Sequence, residues 1–446
     1  MTGLLKQCTI IIPDNTMQKF LNYYLRTIGI LNFVVFMLLI LSLAFPWRFS
    51  QPLAPLWLGL WFLEGRWIDR KNFRWSRSIY PVLFLCLFTV WELISLSWSE
   101  DVANGLKEWE CHWPILAVFF VALFGCNEHY KSYRLKSALI VGSLLSIVSY
   151  SVVCYQHYCT GTLETNPPYW YGSVWTLFGE GPIEILKSRS YYCLVLLMSL
   201  AFSVDVYRHF RTVYSPLTAG LTIGTADLLL IIAVLLTASR TALLLLPVVG
   251  IAMTMMNYRG KWRKHIGIGI LLLSVVVTAF NLRYNTHFAA TKNDLLQITK
   301  ISEPTQTTLT EPRITIYSCA LRHLKDTGWG GAGFGASNKK MVEYYHEDGI
   351  ELGMYYQYST HNRYLKVWME MGIIGVIAML LILISAPYFH SGQTRKNVLC
   401  MCLVFGVSML TENLLSTMGG LYTFFTLIAL LQIAQREEDS LPLSHP

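Results

Sequence analysis

Long apolar runs divide this chain from one end to the other. A transmembrane helix needs about 20 mostly apolar residues, and twelve runs approach that length. They cover residues 28–46, 52–64, 80–98, 109–125, 137–156, 189–206, 217–238, 241–257, 265–282, 363–386, 397–414 and 417–434. Because lipid offers the backbone no hydrogen bonds, segments that span it form helices or closed barrels. The runs predict an all-α polytopic integral membrane protein with about 12 transmembrane helices.

The composition excludes a soluble enzyme. Charged residues make up 14% of the 446 residues, against about 25% in an ordinary soluble domain. The net charge of +8 could indicate nucleic-acid binding. The Lys and Arg residues, however, fall in short clusters between the apolar runs, which is typical of signals that orient membrane proteins. We therefore predict that the chain binds membrane lipid and no nucleic acid.

These basic clusters predict an orientation. In contrast to the clusters, residues 97–108 carry three acidic residues and one lysine. Cytoplasmic loops are enriched in Lys and Arg, so we predict that the basic loops and both termini are cytoplasmic. Segments with at least two basic residues follow alternate runs, at residues 65–78, 126–136, 207–216, 258–264 and 387–396.

The same orientation places two longer segments, 157–188 and 283–362, on the outer side. No repeat and no Gly/Ser/Pro linker separates domains. We predict one unit in three parts. Residues 1–282 form a bundle of nine spans, residues 283–362 form a large outer loop, and residues 363–446 form three further spans and a cytoplasmic tail.

Four charged or titratable residues lie on the predicted outer side, at run ends or within the larger outer loop. Arg189 opens the sixth run, Arg240 separates the seventh from the eighth, Arg313 begins a short amphipathic pattern, and His361 precedes the tenth. Charges near lipid are costly, so such residues are candidates for function. The alternative is that each arginine anchors the chain by reaching to lipid headgroups.

Together these side chains would suit a diphosphate substrate. Guanidinium groups bind phosphate oxygens bidentately and stay charged, so Arg189, Arg240 and Arg313 would form a diphosphate site if the fold brings them together. Arg363 is a further candidate contact. A neutral imidazole accepts a proton near pH 7, so His361 is the candidate general base. A lone histidine at a helix end is otherwise structural.

Three acidic residues in apolar runs have no assigned role. We interpret Glu92 and Asp227 as paired within the bundle, with an ion path as the alternative. Glu412 lies near the outer end of the eleventh run. It is a candidate to orient an arginine or His361.

Residues 328–335, Gly-Trp-Gly-Gly-Ala-Gly-Phe-Gly, contain a formal G-x-G-x-x-G. No strand pattern precedes it and it lies on the predicted outer side, so it is not a nucleotide-binding fingerprint. We predict a tight turn with close backbone approach instead. The sequence contains no Walker A, H-E-x-x-H or D-x-D motif, so we expect neither ATP, a divalent metal nor another cofactor.

The order of these motifs resembles the O-antigen ligase and polymerase superfamily. Residues 239–242 (Ser-Arg-Thr-Ala) follow an apolar run, and the Pro-Arg pair at 312–313 leads to the glycine-rich 331–335. The His-Asn pair at 361–362 precedes Glu-Met-Gly-Ile-Ile-Gly at 370–375. The resemblance extends from about residue 80 to residue 430.

The resemblance implies a bacterial inner-membrane protein of GT-C-like fold, with a large, partly helical periplasmic loop. Ligases of the family move a glycan from undecaprenyl diphosphate to a sugar of the lipid A core at the periplasmic face, with inversion and without a metal. It implies that Arg240 and Arg313 hold the diphosphate and that His361 activates the acceptor hydroxyl. Arg189 matches more loosely, and Arg363 departs from the family pattern.

Two other functions stay open at this point. An O-antigen polymerase uses the same donor and extends a lipid-linked glycan, so the two differ in the acceptor. A lipid-linked sugar flippase or transporter also has about twelve spans. A flippase would need basic residues along a central path, and matched broken helices would favour a transporter.

Overall fold

The computed structural model describes residues 14–159, 189–237, 239–258, 260–261, 263–284 and 312–440. This part of the chain forms seventeen α-helices, several turns of 3-10 helix and no strand. The helices are α1 (Asp14–Ser42), α2 (Trp47–Ser50), α3 (Leu53–Leu63), α4 (Ile79–Ser95), α5 (Val102–Trp109), α6 (Pro114–Phe124), α7 (Ser132–Cys159), α8 (Arg189–Val213), α9 (Pro216–Leu236), α10 (Arg240–Asn257), α11 (Arg263–Tyr284), α12 (Pro312–His323), α13 (Ser337–Glu347), α14 (Glu351–Tyr356), α15 (Arg363–Ser385), α16 (Gly392–Ser408) and α17 (Met418–Ser440).

The all-α polytopic membrane fold predicted from the apolar runs is confirmed. Among the described residues, eight helical segments are long and apolar enough to cross a membrane. They are Tyr23–Ser42, Ile79–Trp98, Ser132–Val153, Ser190–Val213, Pro216–Leu236, Arg240–Asn257, Arg363–Phe389 and Met418–Ser440.

The number of spans, twelve, stays a prediction. The other four runs also form helices, α3, α6, α11 and α16, but α3 and α6 have only 11 residues each. At 1.5 Å per residue such a helix is about 16 Å long, roughly half of the hydrocarbon thickness. An apolar run therefore predicts a helix without fixing how far that helix extends.

Helix α8 lies at the centre of the bundle. It packs against α7, α9, α10 and α16, and Tyr192, Leu196 and Phe202 along its length are fully buried. A helix that is buried on all sides positions its neighbours rigidly, because interiors are close-packed and tolerate little displacement. The outer end of α8 is one wall of the site described below.

Helices α12, α13 and α14 form a small unit beside the bundle, within the loop predicted at 283–362. The partly helical character of that loop is confirmed for residues 312–356. Residues 285–311 of the loop, and 160–188 of the shorter one, lie outside the described residues. The unit has its own apolar core, which includes Leu365 and Met369 of α15, so α15 joins the unit to the bundle.

The glycine-rich turn at 328–335 packs into a break in α15. Gly372 has φ +64, which interrupts the helix, and the backbone N–H of Gly333 donates to the carbonyl of Glu370 at 2.9 Å. A Cβ on Gly333 would lie 2.2 Å from the Cα of Ser99, so only glycine fits there. The predicted close backbone approach is confirmed, and the turn supplies hydrogen bonds that the helix break removes.

Candidate active site

The turn between α16 and α17 brings several helix ends together at Glu412. The Glu412 carboxylate accepts a hydrogen bond from Arg313 Nη2 at 2.9 Å and another from Ser190 Oγ at 3.1 Å. His361 Nδ1 lies 3.9 Å from its second oxygen. Arg313, His361 and Ser190 thus meet at the side chain of Glu412, although they lie 99, 51 and 222 positions from it in sequence.

Arg313 lies in the first turn of α12 and remains partly open to solvent. Its side chain is 37% exposed, whereas that of Glu412 is 17% exposed. Of the guanidinium nitrogens of Arg313, only Nη2 donates a hydrogen bond to a described residue, and that residue is Glu412. A guanidinium group has five N–H donors, so Arg313 retains donors for an anionic ligand.

His361 is held in an unusual backbone conformation just before α15. It has φ +44, in the left-handed region that histidine adopts more readily than most residues. Its carbonyl accepts a hydrogen bond from Tyr317 Oη at 3.1 Å, and Tyr317 also contacts the Leu410 carbonyl. Strained backbone of this kind is found at functional sites when the surroundings fix it. The imidazole itself is partly exposed beside Glu412.

Asn362 caps the helix that follows. Its side chain accepts hydrogen bonds from the backbone N–H groups of Tyr364 and Leu365 at 2.9 and 3.1 Å. These contacts satisfy N–H groups that have no partner at a helix start. The cap fixes the first turn of α15 and hence the position of His361.

We expect Asn362→Ala to destabilise the protein by about 1 kcal/mol, the usual cost of losing such a cap. Asn362→Asp keeps the acceptor oxygen and should stay close to wild type. Thermal unfolding of the purified proteins in detergent measures both. Equal unfolding midpoints for the alanine and aspartate variants would contradict the capping role.

Arg240 begins α10 on the same side of the bundle. Ser239 caps that helix, and the hydroxyl of Thr241 lies 2.8 Å from that of Thr411, the residue before Glu412. Thr241 and Glu412 also line one narrow crevice between α8, α10 and the turn. The structure therefore places the start of α10 beside the Glu412 turn. Arg240 is half-buried there.

Arg189 is the first residue of α8, but its side chain lies outside the described residues. The next residue, Ser190, donates to Glu412, so this helix end belongs to the same cluster. The structure thus brings together the backbone positions of Arg189 and Arg240 and the side chains of Arg313 and His361.

Arg363 does not face this site, which corrects the expectation of a phosphate contact. Its side chain is 1% exposed, and Nη2 donates to Glu92 at 3.0 Å. Nη1 donates to the hydroxyl of Ser416 at 2.7 Å. A guanidinium that the protein encloses this completely offers no open surface to a substrate, and Glu92 already compensates its charge. Arg363 is a structural residue of the bundle.

Glu92 is paired inside the bundle, as predicted, whereas Asp227 has a hydrogen bond but no cationic partner among the described residues. Glu92 contacts Arg363 and lies 3.5 Å from His112. Asp227 accepts a hydrogen bond from Ser203 at 3.1 Å. Neither approaches the Glu412 cluster through a described contact. Sequence reasoning identified Glu412 as an acid without a firm role, and its contact with Arg313 shows that it orients that arginine.

The surroundings of Glu412 favour its charged form. Burial acts to raise the pKa of Glu412, but the His361 ring and the positive charge of Arg313 outweigh it, so the pKa lies below its ordinary value near 4.5. A group with a lowered pKa contributes stability above its ordinary pKa and loses it as the pH falls through the lowered value. The contribution of the Glu412 carboxylate to stability should therefore persist from neutral pH to about 4.5 and be lost only below that.

Within the part of the chain that the structure describes, one group of side chains could hold a metal ion. Ligand atoms of Cys319, His323 and Asp348 lie within 4.8 Å of one another. Burial acts to lower the pKa of His323, but hydrogen bonds with Asp348 and Asp326 outweigh it and raise that pKa, which opposes the neutral form that metals bind. The group lies at the last turn of α12, about 15 Å along the helix from Arg313. It is too far away to act on a ligand of Arg313.

Comparison with known proteins identifies the central part of the chain. Residues 225–380 match the family described as O-antigen ligase, and the resemblance predicted from the motifs is confirmed over these residues. No curated protein matches the chain. Arg240, Arg313 and His361 all lie within the matched segment, whereas Glu412, which contacts two of them, lies beyond it.

Proposed function

We propose that this multi-pass membrane protein, whose residues 225–380 carry an O-antigen ligase domain, is a metal-independent inverting glycosyltransferase. It would move an O-antigen glycan from undecaprenyl diphosphate to the lipid A core. The domain indicates an activity of the ligase or polymerase type. The meeting of Arg313, His361 and the ends of α8 and α10 at Glu412 is the observation that supports the specific proposal.

The arginines would supply the main catalytic effect. When the bond between the sugar C1 and the diphosphate breaks, its electron pair leaves with the diphosphate oxygen. Arg240, Arg313 and Arg189 would stabilise that growing negative charge more strongly than they stabilise the bound donor, which lowers the barrier. The donor is already activated, so the reaction needs no nucleotide.

His361 would act as the general base. The acceptor hydroxyl oxygen attacks C1 from the face opposite the diphosphate, which inverts the anomeric carbon, while the hydroxyl proton passes to the imidazole. Glu412, 3.9 Å from Nδ1, would hold the ring and stabilise the imidazolium that forms. The proton then returns to solvent.

Arg313→Ala should lower the rate of transfer by about a hundred- to thousandfold, the usual effect of removing one donor that stabilises developing charge. Arg322→Ala is the matched control, because Arg322 lies on the same helix, is exposed and pairs with Asp348 outside the site. Glycan transfer by the purified variants measures the difference. Equal losses in both variants would show that the effect comes from α12 as a whole.

Glu412→Gln and Glu412→Ala separate charge from position. Glutamine keeps an oxygen that can accept from Arg313, whereas alanine removes it, so we expect a larger loss of transfer for alanine. Wild type should also lose stability as the pH falls through the lowered pKa of Glu412, below about 4.5, whereas the glutamine variant has no carboxylate there and should not show that loss. Transfer that is unaffected in both variants would contradict the orienting role.

Reconstitution tests the function directly. The protein would be supplied with undecaprenyl-diphosphate glycan and two competing acceptors, lipid A core and a second lipid-linked glycan. Glycan on the lipid A core supports a ligase, and a longer lipid-linked glycan identifies a polymerase instead. Transfer should continue in the presence of a chelator. A strict need for Mg²⁺ would mean that the arginines do not suffice to neutralise the diphosphate.

The same proposal includes the location. The chain would lie in the bacterial inner membrane with both termini in the cytoplasm and the Glu412 cluster at the periplasmic face. A flippase is disfavoured because Arg240, Arg313 and His361 lie at helix ends on one face rather than along a path through the bundle. Reporter fusions after Ser440 and within 337–347 would report the two sides.

A further inference from the structure

The face opposite the candidate active site contains a cavity of about 240 Å³. It lies between the α3–α4 connection, the α6–α7 connection and the end of α17. Helix α17 begins beside the Glu412 turn and runs for 23 residues, about 34 Å, before it reaches the cavity. The cavity is therefore separate from the proposed glycan-transfer site, and it has room for several water molecules or a phosphate group.

Basic side chains dominate the lining. Five basic residues face two acidic ones, an excess of three positive charges. The basic residues are Arg66, Lys71, Arg74, Lys131 and Arg436, and the acidic ones are Glu128 and Glu437. We refer to this site as the basic cavity.

Two of the arginines are fixed in place by neutral groups. Arg436 donates to the carbonyls of Ala122 and Asn72 at 2.8 and 2.9 Å, and it comes so close to Gly125 that a Cβ there would lie 2.8 Å from its Nε. Arg66 donates to the amide oxygen of Asn72 at 3.2 Å, and its buried Nε has no hydrogen-bond partner within the described residues. Carbonyl and amide oxygens orient these guanidiniums without neutralising them.

The nearby acids leave much of the positive charge uncompensated. Glu64 lies 3.8 Å from Arg66, and Glu437 lies 4.0 Å from Lys131. Both distances are longer than those of charge-assisted hydrogen bonds. Arg74 makes no side-chain hydrogen bond or ion pair with any described residue. Preoriented cations with few counter-charges are what an anionic ligand requires.

Exposed aromatic residues lie next in sequence to lining residues of the basic cavity. Trp67, Phe73 and Trp75 all lie on the α3–α4 connection and are exposed. Tryptophan is enriched where membrane proteins meet lipid headgroups, because its ring is amphipathic. A site for dissolved phosphate would not need such residues, whereas a lipid presents phosphate and apolar chain together. The cavity therefore fits a ligand that belongs to the membrane.

We propose that the basic cavity binds the phosphate of an anionic glycerophospholipid. Arg66 and Arg436 contact the phosphate, Lys71, Arg74 and Lys131 add to the attraction, and the three aromatic residues contact the glycerol and upper acyl region. Basic pockets between membrane helices are known to accept lipid headgroups in this way.

Native mass spectrometry of the full-length protein tests the proposal. The protein is released from mixed micelles that contain phosphatidylglycerol and phosphatidylcholine, and bound lipids are counted over a titration. We expect retention of phosphatidylglycerol in preference to phosphatidylcholine. The variant Lys71→Gln/Arg74→Gln should bind phosphatidylglycerol more weakly, by about fivefold for each charge removed. Both side chains are exposed, so the fold should be retained.

Arg263→Gln/Lys264→Gln is the matched control. It removes two exposed charges at the start of α11, on the same predicted side and outside the basic cavity, and should bind phosphatidylglycerol as wild type does. Equal binding by the Lys71/Arg74 variant and wild type, or an equal loss in the control, would overturn the proposal. A competition arm adds millimolar inorganic phosphate. Full displacement of lipid by phosphate would overturn the lipid assignment in favour of a soluble phosphate ligand.

Discussion

His361→Ala should reduce glycan transfer by about 10² to 10⁴-fold, the contribution usually made by a general base, while the protein still folds and inserts. The imidazole is partly exposed, and among the described residues its ion-pair contact is with Glu412 at 3.9 Å. Its backbone contacts, from Tyr317 to the His361 carbonyl, do not depend on the side chain. The measurement is the yield of capped lipid A core in cells, together with the level of lipid-linked glycan, which should accumulate.

His346→Ala provides the control for that experiment. His346 lies in α13 of the same outer unit and is exposed, and it makes no described contact with the Glu412 cluster. It should leave capping unchanged. Normal capping in the His361 variant would remove the general base from the proposed mechanism, and loss in both variants would point to a general effect on the outer unit.

Arg363→Ala should destabilise the protein by about 3 to 5 kcal/mol, because it leaves the buried carboxylate of Glu92 without its cation. Both side chains of this pair are 1% exposed. The nearby Lys366 already pairs with Glu108 at 2.7 Å, so it is not free to replace Arg363 as the partner of Glu92. A thermal unfolding midpoint far below that of wild type, or failure to accumulate in the membrane, is the expected result.

A neutral double variant separates stability from substrate binding. Glu92→Gln/Arg363→Met removes both charges and should regain much of the lost stability, because a buried ion pair is often no better than neutral side chains. It should also retain glycan transfer. Lys340→Ala, which breaks the partly exposed pair with Glu100, should cost no more than about 1 kcal/mol. A stable but inactive double variant would restore Arg363 as a phosphate contact.

The contrast between Arg313 and Arg363 shows how far the sequence can predict this site. The predicted topology placed Arg240, Arg313 and His361 on the outer side, because lipid restricts where a charge can lie. Arg363 met the same criterion and follows His361 by two positions. Its direction depends on the rotation of α15 and on Glu92, which lies 271 residues away in sequence. A single sequence contains no information that pairs such residues.

The lengths of the helices are the part of the fold that the sequence could not predict. The hydrophobic runs predicted a membrane protein, because so large an apolar surface would not remain exposed to water. They could not predict that α3 and α6 would end after 11 residues. Those ends depend on local turns, such as Gly125 with φ +69 directly after α6, and on tertiary packing that the runs do not encode.

The contact between Glu412 and Arg313 has a consequence for turnover. The Glu412 carboxylate holds one nitrogen of the Arg313 guanidinium, Nη2, and places a negative charge beside it. Under the proposed function, the diphosphate would bind the remaining N–H donors of Arg313 while this carboxylate offsets part of the positive charge. The spent carrier would then be held less tightly than by an uncompensated arginine, and we expect the affinity for undecaprenyl diphosphate to be moderate.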